Sequence, residues 1–97
     1  MIFLIQQTES FEKWHESIKD SRAKIAVARR IERAENGNLR DVQSVGNGVS
    51  EMRIDVGAGF RVYYTLRGTV LIILLAGGTK KSQQSDIKKA VELAKEF

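Results

Sequence analysis

The sequence predicts an α+β fold of two layers, with two N-terminal helices packed on a mainly antiparallel, twisted sheet of four or five strands and a further helix at the C-terminus. Three features support this prediction. Apolar residues recur at helical spacing over residues 8–35, alternate with polar residues from Val42 onward, and return to helical spacing near the end of the chain. The length of 97 residues, 42% hydrophobic and 29% charged, indicates one globular domain over residues 1–97.

The first third of the chain predicts one strand and two helices. The apolar segment IFLI at residues 2–5 is typical of a short buried strand. Two candidate caps and three apolar residues at i, i+3 and i+7 define the first helix: Thr8, Ser10, Phe11, Trp14 and Ile18. A second helix over about 21–35 ends before Gly37, which suits the left-handed position past a helix end. We expect the two helices to lie antiparallel on one face of the sheet.

The alternating middle of the chain predicts an antiparallel strand pair whose polar face carries two arginines. The core faces of the two strands coincide in either of two registers, one opposing Arg53 to Arg61 and the other opposing Asp55 to Arg61. Both registers need a short loop in which Gly57 or Gly59 adopts a positive φ. Either register therefore places the two arginines on the same face of the sheet.

The most apolar segment, TVLIILLA at residues 69–76, predicts a central strand covered on both faces. The helix pair covers one face. We expect Val70, Ile72 and Leu74 to share the other face with the two arginines, under the C-terminal helix or a partner protein. The segment GGTKKSQQ that follows is expected to be a loop. The apolar stripe and candidate caps of the last helix are Ile87, Val91, Ala94, Ser82 and Ser85.

Composition excludes several classes of function. The chain has no cysteine and one histidine, so thiolate metal sites, disulfide scaffolds and cysteine nucleophiles are excluded, and we predict neither a metal nor a cofactor. The N-terminus lacks the basic region of a signal peptide, and no apolar run is long enough to span a bilayer, which predicts a cytoplasmic protein. Of the net charge of +4, three units lie within residues 36–81, outside the predicted helices. An anionic partner of the middle segment is therefore plausible.

Arg53 and Arg61 have two interpretations. In the structural one, Glu51 or Asp55 neutralises them in a surface ion network worth about 0–1 kcal/mol per pair. In the functional one they bind a phosphate, because planar, permanently charged guanidinium groups hold phosphate oxygens in fixed geometry and stabilise a phosphorane. The lysine pair 80–81, which follows the central strand, could join the same cluster.

Two motifs carry a resemblance to a known family. They are E-x-R followed by G-x-G-F-R-x-Y-Y, and G-G-x-K-x-x-Q-x-x-D-I, formed here by Glu51, Arg53, Gly57, Gly59, Phe60, Arg61, Tyr63, Tyr64, Gly77, Gly78, Lys80, Gln83, Asp86 and Ile87. With the segments FEKWHESIKD and RRIERAENGN, these motifs resemble the RelE/ParE toxin superfamily, in its HigB-like branch of addiction module killer proteins. The resemblance spans nearly the whole chain and implies the RelE-like fold, which agrees with the element order above.

The resemblance implies the toxin of a type II toxin–antitoxin pair that enters the ribosomal A site and cuts mRNA, with the ribose 2'-hydroxyl as nucleophile and no metal. By position, Arg61 would stabilise the transition state, and Arg53 would contact the phosphate or help activate the hydroxyl. Lys80 would lie near the leaving group. Glu51 is the candidate general base, with Lys81 as its competitor. The implied partners are the ribosome, mRNA and a small helix-turn-helix antitoxin encoded by a neighbouring gene, with the toxin either monomeric or in a hetero-oligomer with that antitoxin.

The C-terminal segment departs from the family pattern. RelE- and HigB-like nucleases commonly carry a tyrosine or histidine there, whereas this chain has no aromatic residue in that segment before Phe97. Tyr63 is expected either to supply the stacking surface for an RNA base or to pack across the strands. Lys81 and Arg40 are further candidates for contacting RNA. The arginines of the second helix are expected on its solvated face: Arg22, Arg29, Arg30 and Arg33.

The departure keeps a second function open. A ParE-like toxin has the same fold but inhibits DNA gyrase by binding it, without cutting RNA. The three cations on one surface favour the nuclease, and the missing C-terminal aromatic residue favours the inhibitor. The sequence therefore predicts a toxin and leaves these two activities to be separated by experiment.

Overall fold

The computed structural model describes residues 2–97 and confirms the α+β fold. In chain order the elements are β1 (Leu4–Gln7), α1 (Glu9–Ser17), α2 (Ser21–Glu35), β2 (Val42–Gly46), β3 (Val49–Ile54), β4 (Phe60–Arg67), β5 (Leu71–Thr79), a 3-10 turn (Lys80–Ser82) and α3 (Gln83–Ala94). The strands form one five-stranded sheet in the order β1-β5-β4-β3-β2. Only β1 runs parallel to its neighbour, β5, and the other pairs are antiparallel. In this described part of the chain, no helix is both long and apolar enough to cross a bilayer.

The ends of α1 and α2 follow from local hydrogen bonds. Thr8 begins α1 because its hydroxyl accepts the N–H of Phe11 at 3.0 Å. Asp20 begins α2 in the same way, accepting the N–H of Arg22 at 3.0 Å. Gly37 has a φ of 95° just past the end of α2, as its position in the sequence predicts. Both helices contribute to one apolar core on a single face of the sheet.

The C-terminal helix α3 covers the opposite face of the sheet, which confirms one of the two covers expected there. It presents only small buried residues, Ala90 and Ala94, so that it can lie close to the strands. Arg67 holds its end, donating from Nη2 to the carbonyl of Ala94 and from Nε to that of Phe97, both at 3.0 Å. A cation at these carbonyls complements the negative end of the helix dipole.

A β-bulge in β5 changes which residues face α3. The pairing with β4 shifts between Tyr63 and Tyr64, which leaves Leu75 as an extra residue. The prediction that Ile72 and Leu74 share the face of the arginines is therefore wrong, because both are buried under α1 and α2. The residues that lie under α3 with Tyr63 are Ile73, Leu75 and Ala76.

The hairpin of β3 and β4 has the register that opposes Arg53 to Arg61. Both loop glycines adopt a positive φ, 55° at Gly57 and 77° at Gly59. The sequence predicted a positive φ at one or the other, and the loop has it at both. The segment after the central strand is not the loop that was expected. Its first residues extend β5 to Thr79, and the 3-10 turn and α3 follow directly.

Candidate functional site

A cleft of about 520 Å³ opens where the end of β3, the start of β4 and the end of β5 meet. Arg53, Arg61 and Lys80 all line it, each from a different element. The remaining lining residues are Asp41, Val42, Gln43, Ile54, Asp55, Gly59 and Phe60. Three cations and two carboxylates give the cleft a positive balance, which suits an anionic ligand.

The guanidinium group of Arg61 is bonded to the buried carboxylate of Glu51. Its Nε donates to Oε2 of Glu51 at 3.1 Å, and its Nη1 donates to the carbonyl of Gly59 at 3.1 Å. Glu51 is 1% exposed, and the amide of Gln83, from the first turn of α3, donates to both of its oxygens at 3.3–3.4 Å. The Arg61 side chain is itself 11% exposed. These bonds fix the guanidinium group in one orientation at the wall of the cleft.

Arg53 is the more exposed of the two arginines. Its side chain is 52% exposed, and its Nη2 lies 3.6 Å from Oε1 of Glu51. It also donates to the side-chain carbonyl of Gln43 on β2. Most of its donors therefore remain open to solvent or to a ligand.

Lys80 is brought to the cleft by its backbone. Its N–H donates to the carbonyl of Gly59 at 2.9 Å, which joins the end of β5 to the loop before β4. A side chain at Gly59 would contact both Lys80 and Arg61. These contacts are of ordinary length, so it is the positive φ of 77° that favours glycine at this position.

Two consecutive glycines in β5 let both helical layers approach the sheet beside the cleft. A Cβ at Gly77 would overlap the indole ring of Trp14 on α1, and a Cβ at Gly78 would overlap the carboxylate of Asp86 on α3. Asp86 accepts a hydrogen bond from Ser82 at 2.5 Å, within the turn that follows Lys80. The G-G-x-K-x-x-Q-x-x-D-I motif therefore has a packing role at the glycines and the aspartate.

Tyr63 lies on the same face as the arginines but beneath α3, fully buried. Its hydroxyl has no hydrogen-bond partner among the described residues. Burial raises the pKa of Tyr63 to about 12, and the carboxylates of Glu51 and Asp86 add to the rise while Arg61 opposes it. The tyrosine is therefore neutral at physiological pH and packs the polar layer under α3.

The family described as phage-derived protein Gp49-like (DUF891) matches residues 9–97. An uncharacterised protein of Haemophilus influenzae (strain ATCC 51907 / DSM 11121 / KW20 / Rd) is 45% identical over 97 residues, covering 100% of this chain and 98% of the relative. The chain belongs to the Gp49-like family.

A solved structure of the E. coli toxin RelE, a double mutant in the free state, superposes on this Gp49-like chain with a TM-score of 0.75. The match covers 95% of this chain and 97% of RelE at 10% identity, so it shows the fold. The RelE-like fold that the sequence resemblance implies is therefore confirmed. The narrower HigB-like assignment remains a prediction.

Three of the predicted site residues of the Gp49-like chain meet at the cleft, and four do not line it. Glu51 does not line the cleft, and both of its oxygens accept hydrogen bonds from Arg61 or Gln83, so it is poorly placed to take a proton from a ligand there. Tyr63 is wrong as a stacking surface because α3 covers it, and packing across the strands is the alternative that holds. Lys81 is exposed on the 3-10 turn, and Arg40 is exposed on the loop before β2.

Several residues of the site were not singled out from the sequence for the roles they have here. Gln83 was quoted only as part of a motif, and its bond to Glu51 depends on how α3 crosses the sheet. Asp41 and Gln43 line the cleft because β2 pairs with β3. The turn between these two strands is formed by Asn47 and Gly48. The Asn-Gly dipeptide between two alternating segments was the signal that could have placed them.

The arginines of α2 divide into two kinds. Arg30 is 4% exposed, so its expected place on the solvated face is wrong. It donates to the carbonyls of Asn38 and Arg40 and ties down the loop before β2, and burial lowers its pKa. The other three, Arg22, Arg29 and Arg33, are exposed as predicted. Across residues 2–97, no group of three or more His, Cys, Asp or Glu side chains is placed to hold a metal ion.

Proposed function

We propose that this protein is the toxin of a type II toxin–antitoxin pair and that it cuts mRNA on the ribosome. The observation that carries the proposal is the meeting of Arg53, Arg61 and Lys80 in one solvent-accessible cleft. A phosphodiester that becomes a phosphorane gains negative charge, and three cations around it lower the barrier. Membership of the Gp49-like family and the RelE-like fold support the toxin part of the proposal.

Each cation has a role in this proposal. Arg61, locked by Glu51 and Gly59, stabilises the phosphorane oxygens because its orientation needs no reorganisation when charge develops. Arg53, with free donors, contacts the incoming phosphate. Lys80 enters from the opposite strand end and neutralises the 5'-oxygen as it leaves. The nucleophile is the ribose 2'-hydroxyl, so the reaction needs no bound metal.

The general base in this proposal is a carboxylate that lines the cleft. Glu51 is better suited to hold Arg61 than to accept a proton, since it is buried and bonded to Arg61 and Gln83. Asp41 and Asp55 are the carboxylates that line the cleft, and both are exposed. We propose one of these two as the base that takes the proton of the 2'-hydroxyl.

A matched set of substitutions tests this assignment. Asp41→Asn and Asp55→Asn each remove one proton acceptor and keep the shape, so the variant lacking the base loses about 10²–10⁴-fold in cleavage rate and the other does not. Glu51→Gln keeps a buried side chain of the same size, and we expect a partial loss without change in the pH dependence of cleavage. If Glu51→Gln instead removes the acidic limb of the pH–rate profile and both aspartate variants are fully active, Glu51 is the base.

The second candidate function is binding and inhibition of DNA gyrase, as in ParE-like toxins. It is favoured because the cleft has few aromatic side chains. Among residues 2–97, Phe60 is the one aromatic residue in its lining. Phe97 lies against Arg67, at the other end of β4. A stacking partner for an exposed base is therefore missing from the C-terminal helix.

A translation assay separates the two functions. The purified toxin is added to a cell-free translation reaction with a defined mRNA, with and without ribosomes, and cleavage is mapped by primer extension. Site-specific cuts that require ribosomes support the nuclease. Intact mRNA together with inhibited DNA supercoiling supports the gyrase inhibitor. We further propose that the protein acts in the cytoplasm and that a helix-turn-helix antitoxin from a neighbouring gene neutralises it in a hetero-oligomer.

A further inference from the structure

A second groove, of about 790 Å³, runs between α2 and the loop that joins β3 to β4. It shares four lining residues with the cleft, Asp41, Arg53, Ile54 and Asp55, so the two cavities adjoin. Arg53 is the cation at their junction, and Asp41 and Asp55 are the carboxylates there. A ligand chain that leaves the cleft past Arg53 can therefore continue into this groove.

The far wall of the groove is a row of arginines on α2. Arg22, Arg29 and Arg33 are spaced i, i+7 and i+11, which places them within about 40° of one another and along roughly 16 Å of the helix. All three line the groove and are exposed. Among the described residues none of them has a carboxylate within ion-pair distance, unlike Lys13 and Lys95, which pair with glutamates on their own helices. Their charges are thus available to a ligand.

The floor of the groove is partly apolar. Ile25 is 53% exposed, and Ala26 and Val56 also line the floor. An aliphatic floor beside guanidinium planes suits nucleobases, which make face contacts with both, while the phosphates face the arginines. An acidic protein segment would also satisfy the charges, but the continuity with the phosphate cleft through Arg53 favours a polymer that carries a phosphate at every unit.

We propose that this groove binds the single-stranded RNA next to the bond held in the cleft, with Arg29 and Arg33 contacting its phosphates. The proposal rests on the proposed nuclease function, because the RNA in the groove is the continuation of the substrate. Arg53 links the two sites and Arg22 extends the track. The groove then contributes affinity for RNA that reaches beyond the cleft and takes no part in the chemical step.

The test uses two uncleavable RNAs of matched base composition, a tetranucleotide that fills the cleft and an octanucleotide that also reaches the groove, both 2'-O-methylated and fluorescently labelled. Binding to the full-length protein is measured by anisotropy over a salt series. Arg29→Ala with Arg33→Ala should weaken octanucleotide binding about tenfold and lower the slope of log K against log salt by about 1.4, since each contact on a single strand contributes about 0.7. The tetranucleotide should bind as it does to the wild type.

The matched control is Lys88→Ala with Lys89→Ala, which removes the same charge from exposed positions on α3, outside the cleft and the groove. It should leave both affinities unchanged. Equal weakening of the two RNAs by the arginine variant, or no weakening of either, would overturn the groove assignment. So would intact RNA binding combined with lost binding to the antitoxin, which would make the groove a protein-docking surface.

Failure of the nuclease proposal has a different signature. The binding assay needs neither ribosomes nor cleavage, so it reports on the groove alone. In one outcome, the arginine variant loses affinity for the octanucleotide alone while the wild type leaves mRNA uncut in the translation assay. That result would mean that the groove binds RNA but that the protein is not a nuclease. Site-specific cleavage with unchanged octanucleotide binding leaves a nuclease without this groove contact.

Discussion

The two faces of the sheet are closed by different chemistry. Against α1 and α2 the core is apolar, with Phe11 and Met52 fully buried, and the buried Arg30 of α2 bonds the loop before β2. Against α3 the apolar Ile73 is also buried, but the same layer contains the carboxylate of Glu51 and the unpartnered hydroxyl of Tyr63. The second face therefore holds polar groups in place within an apolar layer.

The difference separates stability from positioning. A buried ion pair is weak support for stability, because desolvation of the two charges offsets their attraction. The bond of Glu51 to Arg61 is therefore better explained by the fixed orientation it gives the guanidinium group. Substitutions on the α1–α2 face should reduce folding, whereas substitutions on the α3 face should reduce activity at a smaller cost in stability.

The largest expected effect is on activity, from Arg61→Ala. Loss of one preorganised donor to a developing oxyanion typically reduces turnover by about 10²–10³-fold, and we expect growth arrest and mRNA cleavage to be abolished. The protein should remain folded, because Gln83 and Arg53 still face the carboxylate of Glu51. Cleavage is measured in the translation assay, and folding by circular dichroism and antitoxin binding.

The control for Arg61→Ala is Arg67→Ala, at the other end of the same strand. Arg67 holds the last carbonyls of α3 and does not line the cleft. Its loss should cost about 1–2 kcal/mol of stability and leave cleavage intact at a temperature where the variant is folded. Unchanged toxicity of Arg61→Ala, or equal loss of activity in both variants, would remove the basis for the site.

Most elements of the fold could be predicted because each has its own local signal. The first strand is an exception, since a buried strand was expected at residues 2–5, whereas β1 spans Leu4–Gln7 and Leu4 is 64% exposed. The stripe of Phe11, Trp14 and Ile18, the glycine at 37 and the two-sided apolar run of β5 each gave the correct element. The bulge at Leu75 could not be predicted, since a strand that is apolar on both faces carries no alternation to reveal a change of phase. This is why Ile72 and Leu74 were assigned to the wrong face.

The cations of the site could be predicted from the sequence, but the residues that hold them in place could not. Arg53 and Arg61 follow from strand register, and Lys80 follows from the end of the central strand. The burial of Glu51 depends on α3 crossing above it and on Gln83 reaching it, which are tertiary facts. Local sequence thus gives the charges that face the cleft, and long-range packing decides which of them can react.

Two smaller effects, both on the free energy of unfolding, compare the two faces of the sheet at the adjacent residues Gly77 and Gly78. In Gly77→Ala the new methyl group meets the rigid ring of Trp14, and we expect a loss of about 2–3 kcal/mol in the free energy of unfolding. In Gly78→Ala it meets the carboxylate of Asp86, which can rotate, so the loss should be about 1 kcal/mol. Urea denaturation measures both.

Activity should rank the two glycine variants in the opposite order. Displacement of Asp86 breaks its bond to Ser82 and shifts the turn that carries Lys80, so Gly78→Ala should cut mRNA more slowly than Gly77→Ala when both are folded. If Gly77→Ala is the less active variant per folded molecule, the α1–α2 face also positions the site. The division of labour between the two faces would then be wrong.

The smallest expected effect is that of Tyr63→Phe, which should stabilise the protein by about 1 kcal/mol at neutral pH because it removes a buried hydroxyl without a partner. Tyr64→Phe, on the other face, is the control and should bring no such gain, because among the described residues the Tyr64 hydroxyl is not a buried group without a partner.

Tyr63 also affects stability at alkaline pH. Burial raises the folded-state pKa of Tyr63 to about 12, so its phenol is protonated in both states below pH 10. Above pH 10 the unfolded chain releases this proton first, and the folded state loses roughly 1 kcal/mol by pH 11. Tyr63→Phe should remove that part of the loss in urea titrations at pH 9 and 11. An alkaline loss as large as that of the wild type would mean that the Tyr63 phenol is not held in a dry, polar-lined layer, and that the α3 face is wetter than its packing indicates.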